Sequence, residues 1–416
     1  MPVIALFSGT FCREEALLRR LCDGTGFRKV IDSEIVAQAV RISGMPSPKI
    51  AKAFSGKTSV FNRFTHERER SISYLKNALA EILFEDNLIL EGFAVQLIPL
   101  GVTHVLRVCL IADLAFRASV AAEDHGMEQE EAVKLIRRQD EERASWVQIV
   151  RNKKDPWDPS LYDILAPTDK KSAEEIVSLI RGNLGKDILR MTNQSRRALE
   201  DFLLASQVEA ALLKEGHHVG VRAEGGEVTL TINKHVLMLS RLEEELKGIA
   251  GRLPDVKSVT TKVGPAFHQA DIYRKYNFEA PSKVLLVDDE REFVQTLSER
   301  LLLREMGSAV AYDGESALAL IKDDEPEVMI LDLKMPGIDG IEVLRRVKST
   351  NPDIEVIMLT GHGSEADRQV CMNLGAFAYL QKPVDIELLS ETLKKANENI
   401  LQKKEAKKAS GRVESR

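Results

Sequence analysis

Three carboxylates stand where strands should end. Asp288 and Asp289 close the apolar run KVLLVDDE, and Asp332 closes VMILDLKMPG. Each sits where a buried parallel strand gives way to a loop, so all three could meet at one edge of a sheet. Carboxylates in contact repel by about 4 kcal/mol per pair at an effective dielectric near 20. A fold that gathers them holds a cation or handles phosphate; a chance surface cluster is the plainer alternative. Further landmarks follow in order: Thr360 ends EVIMLT, Tyr379 lies in AFAYLQKP, and Lys382 precedes Pro383.

The elements that must position these residues are readable. Residues 283–400 repeat strand then helix five times, with strands KVLLV, SAVAY, VMILDL, EVIMLT and AFAYL. Such alternation predicts a doubly wound parallel sheet with helices on both faces and its site at the carboxyl ends of the strands. Residues 401–416 are rich in Lys, Glu and Ser and are expected to be a disordered, charged tail.

With these five landmarks in order, residues 283–400 resemble the receiver domain of bacterial response regulators, a flavodoxin-like (βα)5 fold. The resemblance implies that Asp332 is the phosphoacceptor. Mg²⁺ would be held by Asp289 and Asp332 with the backbone carbonyl of Lys334, and by Asp288 through water. Lys382 would pair with the phosphoryl group, and Thr360 would donate its hydroxyl to it. Tyr379 would turn inward as Thr360 moves. The Lys382–Pro383 bond is expected to be cis. The implied partners are a sensor histidine kinase or phosphotransfer protein, and a second copy through a receiver homodimer.

The first segment, residues 1–192, also alternates strands and helices: PVIALF, NLILEGF and THVLRVCLI read as strands, and EQEEAVKLIRRQDEERASWVQIV as a long charged helix. Ser172 followed by Glu175 reads as a capping box. On VIALFSGTFCREEALLRRL, KVIDSEIVAQAV, LILEGFA and the arginine-bearing helices, this segment resembles the cytidylate kinase-like branch of the nucleoside monophosphate kinases, a P-loop kinase-like parallel α/β domain. That implies a nucleotide site, for ATP or CMP, drawing on Gly9, Arg13, Asp32, Arg117, Arg137, Arg138 and Arg143. The phosphate loop is degenerate. A working loop reads G-x-x-x-x-G-K-[ST], whereas SGTFCREE keeps Gly9 and places Cys12, Arg13 and Glu14 near the second glycine, the lysine and the hydroxyl. A conventional enzyme is therefore not expected. The triplet Gly56-Lys57-Thr58 follows no strand and reads as a decoy. The arginines have a plainer reading as the solvated face of a charged helix.

Residues 195–267 change pattern. A helix, two alternating runs around Glu224-Gly225-Gly226, a second helix and a strand in PDVKSVTTKV predict a small α+β module. In that order it resembles a BON domain, which implies an interaction module rather than a catalytic one. His217 and His218 are adjacent and make a poor metal pair. Residues 268–282 read as a linker.

The whole is then an α/β multidomain chain of 416 residues. A net charge of −6 gives no global sign of nucleic-acid binding, and no helix-turn-helix is evident, so direct DNA contact is not expected. Cys12, Cys22, Cys109 and Cys371 are scattered, as suits a reducing cytoplasm. No apolar run reaches the ~20 residues of a membrane span. Three functions remain: a phosphorelay response regulator, a phosphorylation-regulated nucleotide kinase, and a nucleotide-binding scaffold without turnover.

Overall fold

The structure is a computed structural model that describes residues 2–56, 59–234, 236, 238–265, 267, 281, 283–302, 304, 306–361 and 363–411. The chain forms two compact units. The first comprises Met1–Thr58, Glu67–Lys214 and His218–Tyr273, and the second Ser59–His66, Glu215–His217 and Arg274–Arg416. The expected linker, 268–282, lies outside the described residues apart from Pro281.

In the first unit β1 (Val3–Ser8) leads to α1 (Glu14–Thr25), and β2 (Arg28–Ile31) to α2 (Asp32–Ser43) and the short α3 (Ser47–Ala51). The single turn α4 (Asn62–Thr65) belongs to the second unit. There follow α5 (Glu67–Ile82), β3 (Leu88–Glu91), β4 (Val105–Ile111), α6 (Leu114–His125), α7 (Gln129–Arg151), β5 (Ile164–Pro167) and α8 (Ala173–Leu184). The strands make one parallel sheet in the order β2-β3-β1-β4-β5. Strand alternation divides β1 between two cores: Val3, Ala5 and Phe7 pack on one face, Ile4 and Leu6 on the other. Both faces are covered, which is why the run is continuously apolar. Ser172 and Glu175 form the capping box at the start of α8.

Helix α9 (Asn193–Lys214) opens the middle module but is not confined to it. Leu199 and Ala210 enter the core around α5, while Leu204, Val208 and Leu212 enter the core of the next sheet. The Ser73 hydroxyl donates to the Ser206 carbonyl, and Lys76 pairs with Glu209 at 2.9 Å. One helix thus has two apolar faces, and the first two segments share a unit. Strands β6 (Gly220–Glu224) and β7 (Glu227–Ile232) form an antiparallel hairpin. Its turn falls on Gly225 and Gly226, whose φ of 61° and 92° a side chain would resist. After α10 (Leu239–Ala250), β8 (Ser258–Val263) joins β7 in parallel.

The second unit holds β9 (Val284–Val287), α11 (Arg291–Leu302), β10 (Ser308–Ala311), α12 (Gly314–Asp323), β11 (Val328–Leu331), α13 (Gly340–Thr350), β12 (Glu355–Thr360), α14 (Glu365–Asn373), β13 (Ala378–Gln381) and α15 (Ile386–Gly411). The sheet is parallel, in the order β10-β9-β11-β12-β13. Leu285, Val287, Met329 and Leu331 face one core; Val284, Leu286, Val328 and Ile330 face the other. The last helix continues to Gly411, within the stretch expected from residue 401 to be a disordered tail, and residues 412–416 of that stretch lie outside the described residues. Lys403 pairs with Glu355, whose side chain is only 3% exposed, and Lys404 pairs with Glu327 at 3.0 Å. Acids at the strand starts hold the lysine-rich turn that composition alone marks as free to fray. Among the described residues no helix is long and apolar enough to cross a membrane.

Candidate functional site

The parallel sheet of the second unit delivers its strand ends to one edge. Asp288 and Asp289 follow β9 directly, and Asp332 follows β11. The Asp332 amide donates to the Val287 carbonyl at 2.9 Å, which ties the two strand ends together. The three carboxylates each place an oxygen within 4.8 Å of the others. Asp288 and Asp332 are buried, at 4% and 6% exposure, while Asp289 is exposed.

Lys382 lies among them. Its Nζ is 2.7 Å from Asp288 Oδ2, 3.0 Å from Glu290 Oε1 and 3.5 Å from Asp332 Oδ1. It also stands 4.5 Å from the centre of the Phe293 ring. Its backbone amide donates to Thr360 O at 2.9 Å, and the Lys382–Pro383 bond is cis. Burial raises the Asp288 and Asp332 carboxyls above the usual range, against the opposing pull of Lys382. For Lys382 burial disfavours the charge, but hydrogen bonds to Asp288 and Glu290 together with the negative charges of Asp288 and Asp332 outweigh it, and the ammonium is strengthened. Backbone amides complete the cradle: Glu290 N donates to Asp288 Oδ1, and Lys334 N to Asp332 Oδ2, each at 3.0 Å.

Thr360, 1% exposed, ends β12 beside this cluster. Tyr379 on β13 is half-buried, and its hydroxyl is shut from solvent with no hydrogen-bond partner among the described residues. A β-carbon on Gly363 would collide with that hydroxyl and meet Thr360 Cγ2 at 3.0 Å. A β-carbon on Gly340 would strike the Asp332 carbonyl, so α13 starts against the acid's own backbone only because residue 340 is glycine. Glu290, Phe293, Gly340 and Gly363 are contributors the sequence did not single out. The DDE run offered a signal for Glu290; the others depend on contacts between distant elements.

The donor set suits a hard divalent cation. Three carboxylates crowd one edge and offer only oxygen, as Mg²⁺ prefers.

The residues expected at a nucleotide site lie in the first unit, and four of them are already engaged by other groups of that unit. Arg117 is buried, makes two 2.8 Å bonds to Asp140 and donates through Nε to Thr10 O at 2.7 Å. Arg143 donates to Ser8 O at 2.8 Å and to Gln139 O at 3.0 Å, with Phe93 beneath its guanidinium. Arg13, at a left-handed φ of 54°, pairs with Glu123 at 2.6 Å. Arg137 and Arg138 are exposed. Asp32 accepts from the amides of Phe93 and Ala94 at 2.7 and 2.9 Å, and burial still pushes its carboxyl up to about 6. A β-carbon on Gly9 would meet Cys12 Sγ at 3.1 Å and Arg117 Cζ at 3.3 Å, so the loop is closely packed on itself. Glu14 stands in the first turn of α1, where burial raises its carboxyl.

Comparison with known proteins agrees with this division. Residues 284–394 match the response regulator receiver domain family, and residues 4–170 match the cytidylate kinase-like family. The transcriptional regulatory protein CpxR of Klebsiella pneumoniae is 46% identical over 110 residues, covering 26% of this chain and 47% of that protein. Response regulator MprA of Mycolicibacterium vanbaalenii is 38% identical over 109 residues, again 26% of this chain and 47% of that protein. The chain spans about half the length of the curated relatives it matches. Among solved structures, a response regulator receiver domain protein from Clostridium thermocellum is 32% identical, covering 30% of this chain and 97% of that chain, with a TM-score of 0.27. The C-terminal segment is a receiver domain, and the N-terminal segment carries a cytidylate kinase-like domain.

Proposed function

We propose that this chain is a phosphorelay response regulator whose receiver accepts a phosphoryl group on Asp332. The observation that carries the reading is Lys382 Nζ set among Asp288, Glu290 and Asp332 at one edge of the parallel sheet. A histidine kinase or phosphotransfer protein is the donor. An oxygen of Asp332 attacks phosphorus, a new P–O bond forms, and the P–N bond of the donor's phosphohistidine breaks. The leaving imidazole keeps the electron pair and takes up a proton.

The residues divide the work. Asp288, Asp289 and Asp332, with the Lys334 carbonyl, would hold Mg²⁺, which supplies positive charge against the phosphoryl oxygens. The Lys334 amide fixes one Asp332 oxygen and so orients the other. Lys382 neutralises the acids at rest and becomes the counter-ion of the phosphoryl group. Thr360 offers its hydroxyl, and the place of Tyr379 beside it reports loading to the α14–β13–α15 side of the domain. The output is a change in what the attached domains or a second copy bind, in the cytoplasm and without direct DNA contact. Incubation with Mg²⁺ and a small phosphodonor, read by mass, tests this: the wild-type chain gains one phosphoryl group and Asp332→Asn gains none. Labelling of the Asp332 variant would move the acceptor elsewhere.

For the first unit, the reading supported best is a nucleotide-binding scaffold without turnover. The kinase-like match over residues 4–170 favours a nucleotide-sized site, while Arg117 spent on Asp140 and Glu14 at the loop disfavour catalysis. The BON-like module is taken as an interaction surface. Titration with ATP or CMP tests the scaffold reading: saturable binding without phosphate transfer is expected. Transfer would establish a kinase, and no binding at millimolar ligand a structural remnant.

A further inference from the structure

Glu290 follows the acid pair but stands apart from it. Asp288 and Asp332 are buried, whereas the Glu290 side chain is 66% exposed. Yet it touches both halves of the site. Its amide donates to Asp288 Oδ1 at 3.0 Å, and its carboxylate accepts from Lys382 Nζ at 3.0 Å. An ammonium has three N–H donors and no more. The three carboxylates of Asp288, Glu290 and Asp332 surround those of Lys382, and the Phe293 ring closes a further side at 4.5 Å. Asp288 and Glu290 hold the ammonium at 2.7 and 3.0 Å while Asp332 stands off at 3.5 Å, so Lys382 closes on a phosphoryl group carried by Asp332 only by moving away from one of the two nearer partners.

The exposures say which one yields. Lys382 and Asp288 side chains are 12% and 6% exposed and meet at 2.7 Å, so separating them strands two buried charges. The Glu290 carboxylate faces water, where it is readily solvated and an ion pair is weak. We propose, resting on the phosphoacceptor reading above, that Glu290 is a positioning residue: it holds Lys382 toward the outer rim at rest and releases the ammonium when Asp332 is loaded, thereby slowing loading. Removing its charge frees the lysine sooner while leaving the three acids in place.

The test uses the full chain and three variants: Glu290→Gln, Glu290→Asp and Asp332→Asn. Phosphoramidate with Mg²⁺ is the donor, and incorporation is followed by mass. Glu290→Gln is expected to raise the maximal loading rate roughly two- to fivefold, the range an exposed ion pair can supply, at unchanged half-saturating donor. Glu290→Asp, which keeps the charge on a shorter arm, is expected to fall between it and wild type. A second readout needs neither metal nor donor: in limiting acylation of the free protein, modification at Lys382 rises in Glu290→Gln. Loading and acylation at wild-type levels would overturn the role of Glu290 while a silent Asp332→Asn leaves the phosphoacceptor reading standing. A wild-type chain that takes no label, or an Asp332→Asn chain that does, overturns both.

Discussion

The Tyr379 hydroxyl fills the space in which a β-carbon on Gly363 would lie. The two residues come from different elements, β13 and the loop after β12, and they meet beside Thr360. The hydroxyl is buried there without a hydrogen-bond partner among the described residues. A buried, unpaired polar group costs about 1–3 kcal/mol. The inward pose is therefore held by packing and depends on residue 363 having no side chain.

Gly363→Ala should drive Tyr379 outward. Replacing Tyr379 with fluorotyrosine in a chain that keeps its other tyrosines unlabelled gives a fluorine signal for the ring's environment. The signal should move toward that of a solvent-exposed ring in Gly363→Ala, with phosphodonor labelling retained. An unmoved signal would mean that the loop yields instead of the ring.

Removing the ammonium should shift the balance among the acids. In Lys382→Ala, Asp288 and Asp332 lose the charge that neutralises them, so a divalent ion meets less competition. Mg²⁺ affinity by calorimetry should rise on the order of tenfold, about 1.4 kcal/mol, while phosphodonor labelling slows. An unchanged affinity would place the ion away from Lys382.

Asp32 makes a pH prediction for the first unit. Its carboxyl is raised from 3.8 to about 6 by burial, so the folded state favours the protonated form. Its contribution to stability is greatest below the unfolded value and is lost as pH rises through about 6. Relative to wild type, Asp32→Asn should therefore gain stability between pH 4 and pH 7, on the order of 1–2 kcal/mol once solvent screening is allowed for. Urea unfolding across that range measures the difference; a constant difference would show that Asp32 titrates normally.

The end of α15 should matter to the receiver. Truncation after Leu401 removes Lys403 and leaves Glu355, 3% exposed at its side chain, with Asn399 and with Lys348 at 3.7 Å. Lys403 is itself 44% exposed, so the loss should be on the order of 1–2 kcal/mol and not the full cost of a broken buried pair. Denaturant unfolding of the second unit checks it. Unchanged stability would return residues 402–411 to the role of a loose tail.

Much of this was legible in the sequence because strand ends are legible. Asp288, Asp289, Asp332 and Thr360 each close an apolar run, and parallel pairing brings such ends to one edge. Lys382 and Tyr379 were placed by the resemblance to receiver domains, since Tyr379 lies within β13 and closes no strand. Glu290 was not, since its meaning lies in a reach across 92 positions to Lys382. Gly363 needs the path of β13 before its lack of a side chain matters. In the first unit, Arg117 reads as a ligand for phosphate until Asp140, one helix away, is seen to occupy it. Helix α9 read as the start of a separate module because its second apolar face is visible only against α5. The lysine-rich end of α15 misled for a related reason: composition does not show the acids at the strand starts that hold it.

The central claim is that the acid cluster primes Asp332 for phosphorylation. Peptide mapping by mass after treatment with Mg²⁺ and phosphoramidate tests it most directly. A single added phosphoryl group on the peptide bearing Asp332, lost in Asp332→Asn and strongly reduced in Asp289→Ala, is the predicted result. A phosphoryl group on any other residue, or undiminished labelling in Asp332→Asn, would contradict it.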